Sequence, residues 1–167
     1  MIYNDLIDDI KSADYVLFGL GKEIYSSDDT EIYDNLKKLF ASMEHVNYFI
    51  VSTDKAGTIR NCGLNERRIV CPVNENNAEE EEKQWDFYNK WLSATLAKKL
   101  LVIEIGEGFN NPNLIRWPFE RIVMINDKAH FYRVHSTFYQ IPKEIADKAC
   151  TMKINSYEVL KELVNVV

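Results

Sequence analysis

The sequence predicts an α/β fold, a Rossmann-like three-layer sandwich with a mostly parallel sheet and helices on both faces. Two features carry this expectation. Segments with apolar residues at helical spacing alternate along the chain with short runs that are apolar throughout. Such continuous runs suit strands buried on both faces, as parallel sheets require, and the alternation is the pattern of crossover units.

The elements follow in order. Ile2, Leu6, Ile7 and Ile10 recur at helical spacing, and Tyr15-Val16-Leu17-Phe18 then forms a strand that ends in Gly19-Leu20-Gly21. Ile32, Leu36, Leu39, Phe40 and Met43 predict a second amphipathic helix, before a strand at Tyr48-Phe49-Ile50-Val51 and a shorter one at Arg68-Ile69-Val70-Cys71. Residues 74–83 read as an acidic surface loop that leads into a helix N-terminus, where Glu79 to Glu82 would favour the helix dipole. The helix carries Trp85, Tyr88, Trp91 and Leu92 on one face. Leu100 to Ile105 is the strongest strand and closes on Gly106-Glu107-Gly108. A short helix is expected over 113–120, with Pro118 near a bend, then strands at Ile122-Val123-Met124-Ile125 and Phe131-Tyr132-Arg133-Val134. Helices over 142–149 and 157–166 complete the pattern. Neither an internal repeat nor a second domain is visible, so residues 1–167 are expected to form one domain.

Composition excludes several classes of function. The 46% apolar and 28% charged residues are ordinary for a globular chain. A net charge of −6 argues against nucleic-acid binding, which needs a basic face to displace counterions. A small anionic ligand stays possible, because backbone amides bind phosphate without lysine. Cys62, Cys71 and Cys150 are odd in number and lack metal-ligand spacing, so neither a disulfide framework nor a zinc site is expected. The chain opens without the basic start and apolar run of a signal peptide, and its apolar stretches are of strand length. A cytoplasmic protein with no membrane partner is the expectation. Oligomeric state is left open.

In open α/β sheets, ligands bind beyond the carboxyl ends of the strands. Three such ends carry suggestive residues: Gly19-Leu20-Gly21, Ser52-Thr53-Asp54 and Gly106-Glu107-Gly108. Glycines there would let a ligand approach the backbone closely. Asp54, Glu104 and Glu107 could converge as an acid–base or metal-binding cluster. The competing expectation pairs Glu104 with a nearby base and leaves Glu107 solvated. The aromatic stripe of Trp85, Tyr88 and Trp91 reads as core rather than a stacking platform. Lys55 either balances ligand phosphate or is merely exposed.

Four segments resemble sirtuins. Phe18-Gly19-Leu20-Gly21-Lys22-Glu23-Ile24-Tyr25-Ser26-Ser27 is similar to the sirtuin G-A-G-I-S-x-x-S-G loop. Tyr48 to Asp54, followed by Cys62-Gly63, is similar to the family's Y-x-x-x-T-x-N-x-D strand and its A-G. Ile103 to Gly108 stands where sirtuins have I-x-x-G-T-S-L, and Ile125-Asn126 resembles the family's I-N turn at the adenosine end of NAD. Order and spacing agree from Asp14 to Asn126, and the segment from Trp85 to Pro142 resembles small bacterial sirtuin-like proteins.

The resemblance implies a sirtuin-type NAD-binding domain that takes NAD or ADP-ribose. Gly19, Gly21, Ser52, Thr53, Gly106, Gly108 and Asn126 would hold the cofactor, and, were the chain to consume NAD, Asp54, where the family has an asparagine, would be the catalytic carboxylate. The departures imply degeneracy. Asp54-Lys55-Ala56 replaces N-x-D, no histidine occurs between His45 and His130, and the four-cysteine zinc module is missing. The family's deacetylation needs a base that activates a ribose hydroxyl, so the resemblance implies nucleotide binding without deacetylase activity. Two other functions stay open: an NAD-consuming glycohydrolase or transferase, and a non-enzymatic interaction module that has lost the ligand.

Overall fold

Alternate residues of each central strand enter different cores. In the computed structural model, which describes residues 2–26 and 30–167, β1 (Tyr15–Leu20), β2 (Tyr48–Ser52), β3 (Ile69–Val70), β4 (Leu100–Ile105), β5 (His130–Val134) and β6 (Ala149–Met152) form one sheet. All five pairings are parallel and the strand order is β3-β2-β1-β4-β5-β6. This is the order of the doubly wound Rossmann fold, in which the chain reverses direction across the sheet between β1 and β4.

Val16, Phe18, Ile50, Ile103 and Val134 point to one face, where α1 (Ile2–Ser12), α2 (Lys22–Tyr25), α3 (Glu31–Ala41) and α6 (Ser156–Val166) cover them. Leu17, Phe49, Val51, Val102 and Phe131 point to the other, under α4 (Ala78–Ala94) and α5 (Arg116–Ile125). Each such fully buried aliphatic or aromatic side chain contributes about 1.5–3 kcal/mol relative to leaving it in water. The aromatic stripe of α4 is core: Tyr88 is buried, and Phe49 lies with its ring centroid 5.3 Å from that of Tyr88 and 5.7 Å from that of Trp91.

Four expectations need correction. Ile122 to Ile125 is not a strand but the end of α5. Only Val123 of the four is buried, while Met124 and Ile125 are exposed, and a four-residue apolar run has no period with which to tell strand from helix. The helix starts at Arg116 rather than near 113, so Pro118 falls in its first turn, where a missing N–H breaks no helical bond. The helix expected over 142–149 is a 3₁₀ helix, Lys143–Lys148, that feeds the unexpected edge strand β6.

The acidic segment is the fourth correction. α4 already begins at Ala78, and Glu81 is buried rather than solvated. Its carboxylate pairs with the equally buried Arg60 and accepts from the Cys71 amide at 3.2 Å and the Asn74 amide group at 3.1 Å. Arg60 also donates to the carbonyls of Glu66 and Ile69. The pair therefore ties the chain after β2 and the end of β3 to α4. Removing one member of a buried pair strands the other charge, at a cost of about 3–5 kcal/mol. Glu81→Ala is expected to lose stability of that order in chemical denaturation, and Glu80→Ala to lose less than about 0.5 kcal/mol. Equal losses would refute the structural role of Glu81.

Candidate functional site at the carboxyl edge of the sheet

In doubly wound sheets ligands bind beyond the carboxyl ends of the strands, near the point where the strand order reverses, here between β1 and β4. A cavity of about 470 Å³ lies at this edge. Lys22 and Tyr25 of α2 form one wall. Thr53, Asp54, Lys55 and Ala56 follow β2 and form a second, and Glu107, Asn110 and Asn111 follow β4 and form a third.

The glycines at this edge serve the protein's own packing. A side chain on Gly19 would meet the Phe119 ring at 2.5 Å and Ile115 at 2.6 Å, so this glycine admits α5 against the sheet. At Gly21 the obstruction is backbone: a Cβ would lie 2.5 Å from the main chain of Gly106 and Glu107. The Gly21 and Glu23 amides donate to the carbonyls of Ile105 and Gly106, at 2.8 and 3.0 Å. Gly106 adopts a left-handed φ of 80° under Ile24 and Ser156, and Gly108 faces Phe138 and His135. The Gly21 and Glu23 amides of the first strand–helix turn are thus already used.

Asp54 is held on the cavity wall. Its Oδ2 accepts from the Ile59 amide and the Tyr33 hydroxyl, both at 3.1 Å. Burial, and then the negative charge of Asp54, push the Tyr33 hydroxyl up to about 12, so it stays a donor. Ser52 is fully buried, 2.7 Å from the Tyr25 hydroxyl, and accepts from the Asp54 amide.

Behind the third wall lies a buried ionic cluster. Glu104 accepts from Arg133 through both carboxylate oxygens, at 2.7 and 3.0 Å, a bidentate geometry that favours the ionised form, although complete burial, opposed by Arg133 and Arg116, pushes its carboxyl upward. Arg133 also pairs with Glu120 at 2.9 Å, and Arg116 lies 3.8 Å from Glu104. The two arginines are matched by Glu104 and Glu120. Glu107 is the fifth ionisable group and is 2% exposed, with its Oε2 buried and without a hydrogen-bond partner among the described residues. Burial, and then the charge of Glu104, push its carboxyl up to about 8.

On the far side, Glu23 accepts from the amides and hydroxyls of both Ser136 and Ser156. Burial raises its carboxyl, but these hydrogen bonds outweigh it and the net shift is downward. His135 lies beyond the carboxyl end of β5. Its Nδ1 is 3.4 Å from Glu23 but accepts from the Thr137 and Phe138 amides at 3.0 and 2.9 Å. That nitrogen therefore carries no proton and the contact is not an ion pair, in line with burial pushing the imidazole down.

Of the residues expected at the site, Thr53 and Asp54 line the cavity. Gly21, Gly106 and Ser52 support its walls from behind, and Gly19 and Gly108 pack against side chains. Asn126 does not join them. It caps the end of α5 and donates to the carbonyls of Thr95 and Lys98, just before β4, at the opposite edge of the sheet. It sits there because residues 122–125 are helical and reverse its end of the chain. Ser27 lies outside the described residues. The expectation of a solvated Glu107 fails, and its burial follows from its place after the central strand β4. Lys22, Asn110 and Asn111 also line the cavity, and their one signal in the sequence is adjacency to the two glycine turns. Among the described residues, no group of three His, Cys, Asp or Glu side chains could hold a metal ion, and no helix is long and apolar enough to cross a membrane.

Comparison with known proteins places this geometry. A solved sirtuin, from work on the structural basis of sirtuin substrate affinity, superposes with a TM-score of 0.59 over 97% of this chain and 98% of its own, at 9% identity. The sirtuin-like fold is therefore shared. A protein ADP-ribosyltransferase of Staphylococcus aureus is 31% identical over 61 residues, which are 36% of this chain and 19% of that protein. A probable bifunctional ADP-ribose hydrolase/ADP-ribosyltransferase of Fusarium oxysporum is 41% identical over 51 residues, 29% of this chain and 8% of that protein. The matched parts span a fifth or less of these curated relatives. No protein-family profile matches the sequence.

The Glu107 carboxyl gives the site a pH signature. An unfolded glutamate titrates near about 4.3, whereas the folded one holds its proton to about 8. Between those values the folded chain carries the extra proton. This group's contribution to stability is complete below the lower value and declines as pH rises to the upper one, by at most about 1.4 kcal/mol per pH unit. Glu107→Gln should therefore gain stability relative to wild type as pH rises from 5 to 9, followed by urea denaturation. A difference independent of pH would contradict the raised carboxyl.

Proposed function

We propose that the cavity binds an ADP-ribose-type nucleotide, NAD or ADP-ribose, and that the chain does not deacetylate acetyl-lysine. The observation that carries this reading is the cavity's place, at the strand reversal of a sirtuin-like sheet. Its volume of about 470 Å³ lies within the usual range for small-molecule pockets. The residues present fit the ligand. With the Gly21 and Glu23 amides engaged, the diphosphate would be held by the ammonium groups of Lys22 and Lys55 and the side-chain amides of Asn110 and Asn111, which line the cavity. Thr53 and Asp54 would face ribose hydroxyls. The partial similarity to ADP-ribosyltransferases supports the same chemical class.

A second reading, NAD consumption by hydrolysis or ADP-ribosyl transfer, is favoured by the setting of Asp54. NAD, when bound, supplies a labile bond between nicotinamide and ribose. Asp54, with one oxygen fixed by the Ile59 amide and the Tyr33 hydroxyl, would orient a water or acceptor hydroxyl and take up its proton. Hydrolysis needs no groove for an acyl-lysine.

ADP-ribose and NAD are expected to raise the thermal midpoint with concentration, by mass action, and Lys22→Ala and Lys55→Ala each to weaken that shift. No shift with any adenine nucleotide at millimolar concentration would leave the chain as an interaction module. Acetyl-lysine peptides should stay intact. NAD turnover, where present, should vanish in Asp54→Ala while the nucleotide-induced shift persists. Robust deacetylation by the wild type would overturn this assignment.

A further inference from the structure

We propose that Glu23 is a positioning residue for the nucleotide: clasped at the back of α2, it sets the face from which Lys22 enters the cavity. This rests on the nucleotide reading above. α2 is a single turn, Lys22–Tyr25. So short a helix has almost no stability of its own, and tertiary contacts must fix where it lies. Lys22 and Tyr25 are three residues apart, share one face of the turn and both line the cavity. Glu23 is rotated from Lys22 by about 100° and leaves the turn on a different side.

A single carboxylate gathers the contacts on that side. Its Oε1 accepts from the Ser156 amide at 2.9 Å and the Ser156 hydroxyl at 2.5 Å, and its Oε2 accepts from the Ser136 hydroxyl. The Ser136 amide reaches the same group at 3.2 Å. Ser136 lies beyond the end of β5, and Ser156 opens α6, where the helix dipole favours a negative charge. The other anchors of α2 lie elsewhere. The Glu23 amide donates to the Gly106 carbonyl at 3.0 Å, and the fully buried Ile24 packs on Gly106. The Tyr25 hydroxyl sits 2.7 Å from Ser52. α2 is thus strung between β2, through Tyr25, and the ends of β5 and α6, through Glu23.

Positioning and plain charge predict effects of opposite sign. Four donors around one carboxylate favour its ionised form. As a bare negative charge near the cavity, Glu23 would repel a diphosphate, and its removal would tighten binding. As the clasp that places Lys22, its removal weakens binding. A glutamine keeps the shape but offers one acceptor oxygen where the carboxylate offers two, and its NH2 would meet a backbone N–H of Ser136 or Ser156.

Calorimetric titration of the full chain with ADP-ribose tests this on wild type, Glu23→Gln, Lys22→Ala and the double variant. Lys22→Ala should raise the Kd roughly tenfold, the low end of what a hydrogen bond to a charged group contributes. Glu23→Gln should raise it several-fold, up to that same value. The double variant should bind no more weakly than Lys22→Ala, because Glu23 acts through the lysine. Ser136→Ala removes one donor from the other side of the clasp and should repeat this pattern, even where Glu23→Gln does not fold. Unchanged or tighter binding in the clasp variants, or losses that add to that of Lys22→Ala, would overturn the role of Glu23. Wild-type affinity in Lys22→Ala would overturn it too, since the clasp would have no ligand contact to place. Absence of binding by the wild type would instead remove the nucleotide reading, and this inference with it.

Discussion

Two backbone turns meet at Gly21 with no room between them for a methyl group. The turn leaving β1 lies against the turn leaving β4, and amides of the first donate to carbonyls at the end of the second. Much else follows from this contact. It places α2 over the end of β4, buries Glu107, and brings Glu23 to the start of α6. It also consumes two of the amides, those of Gly21 and Glu23, that a doubly wound fold commonly offers to phosphate. The open space is displaced toward β2, where lysine, asparagine and carboxyl side chains line it.

The sheet was largely legible because its central strands are apolar on both faces. A continuous run such as Leu100 to Ile103, too short to cross a membrane, fits a strand between two helical layers. Legibility failed at the periphery, where burial is one-sided. β6 has Met152 as its one buried residue, too little for a pattern. Ile122 to Ile125 misled because four apolar residues in a row are consistent with any period. Glu81 was hidden for the opposite reason: its three glutamate neighbours are exposed, and local composition averages the one buried carboxylate into its surroundings.

The site was legible in its location and less so in its chemistry. That the strand ends of β1, β2 and β4 converge is a property of topology, which the alternation of elements implied. What each residue does there depends on contacts across the sheet. Gly19 and a ligand-facing glycine look alike in a sequence, and only the Phe119 ring separates them. The state of Glu107 is a still more distant property. It depends on the count of arginines and glutamates brought together from β4, α5 and β5, none of which is visible from the Gly-Glu-Gly turn itself.

The Arg60–Glu81 pair has a bearing on how this chain can change over time. The same carboxylate that holds Arg60 also holds Asn74, and the Asn74 side chain packs on Gly57, next to the cavity-lining Ala56. One of four consecutive glutamates is thereby tied to the floor of the crevice, while Glu79, Glu80 and Glu82 face solvent. Drift should run freely through three letters of that acidic word and halt at Glu81, so that a stretch resembling low-complexity filler would carry an inherited constraint at a single position.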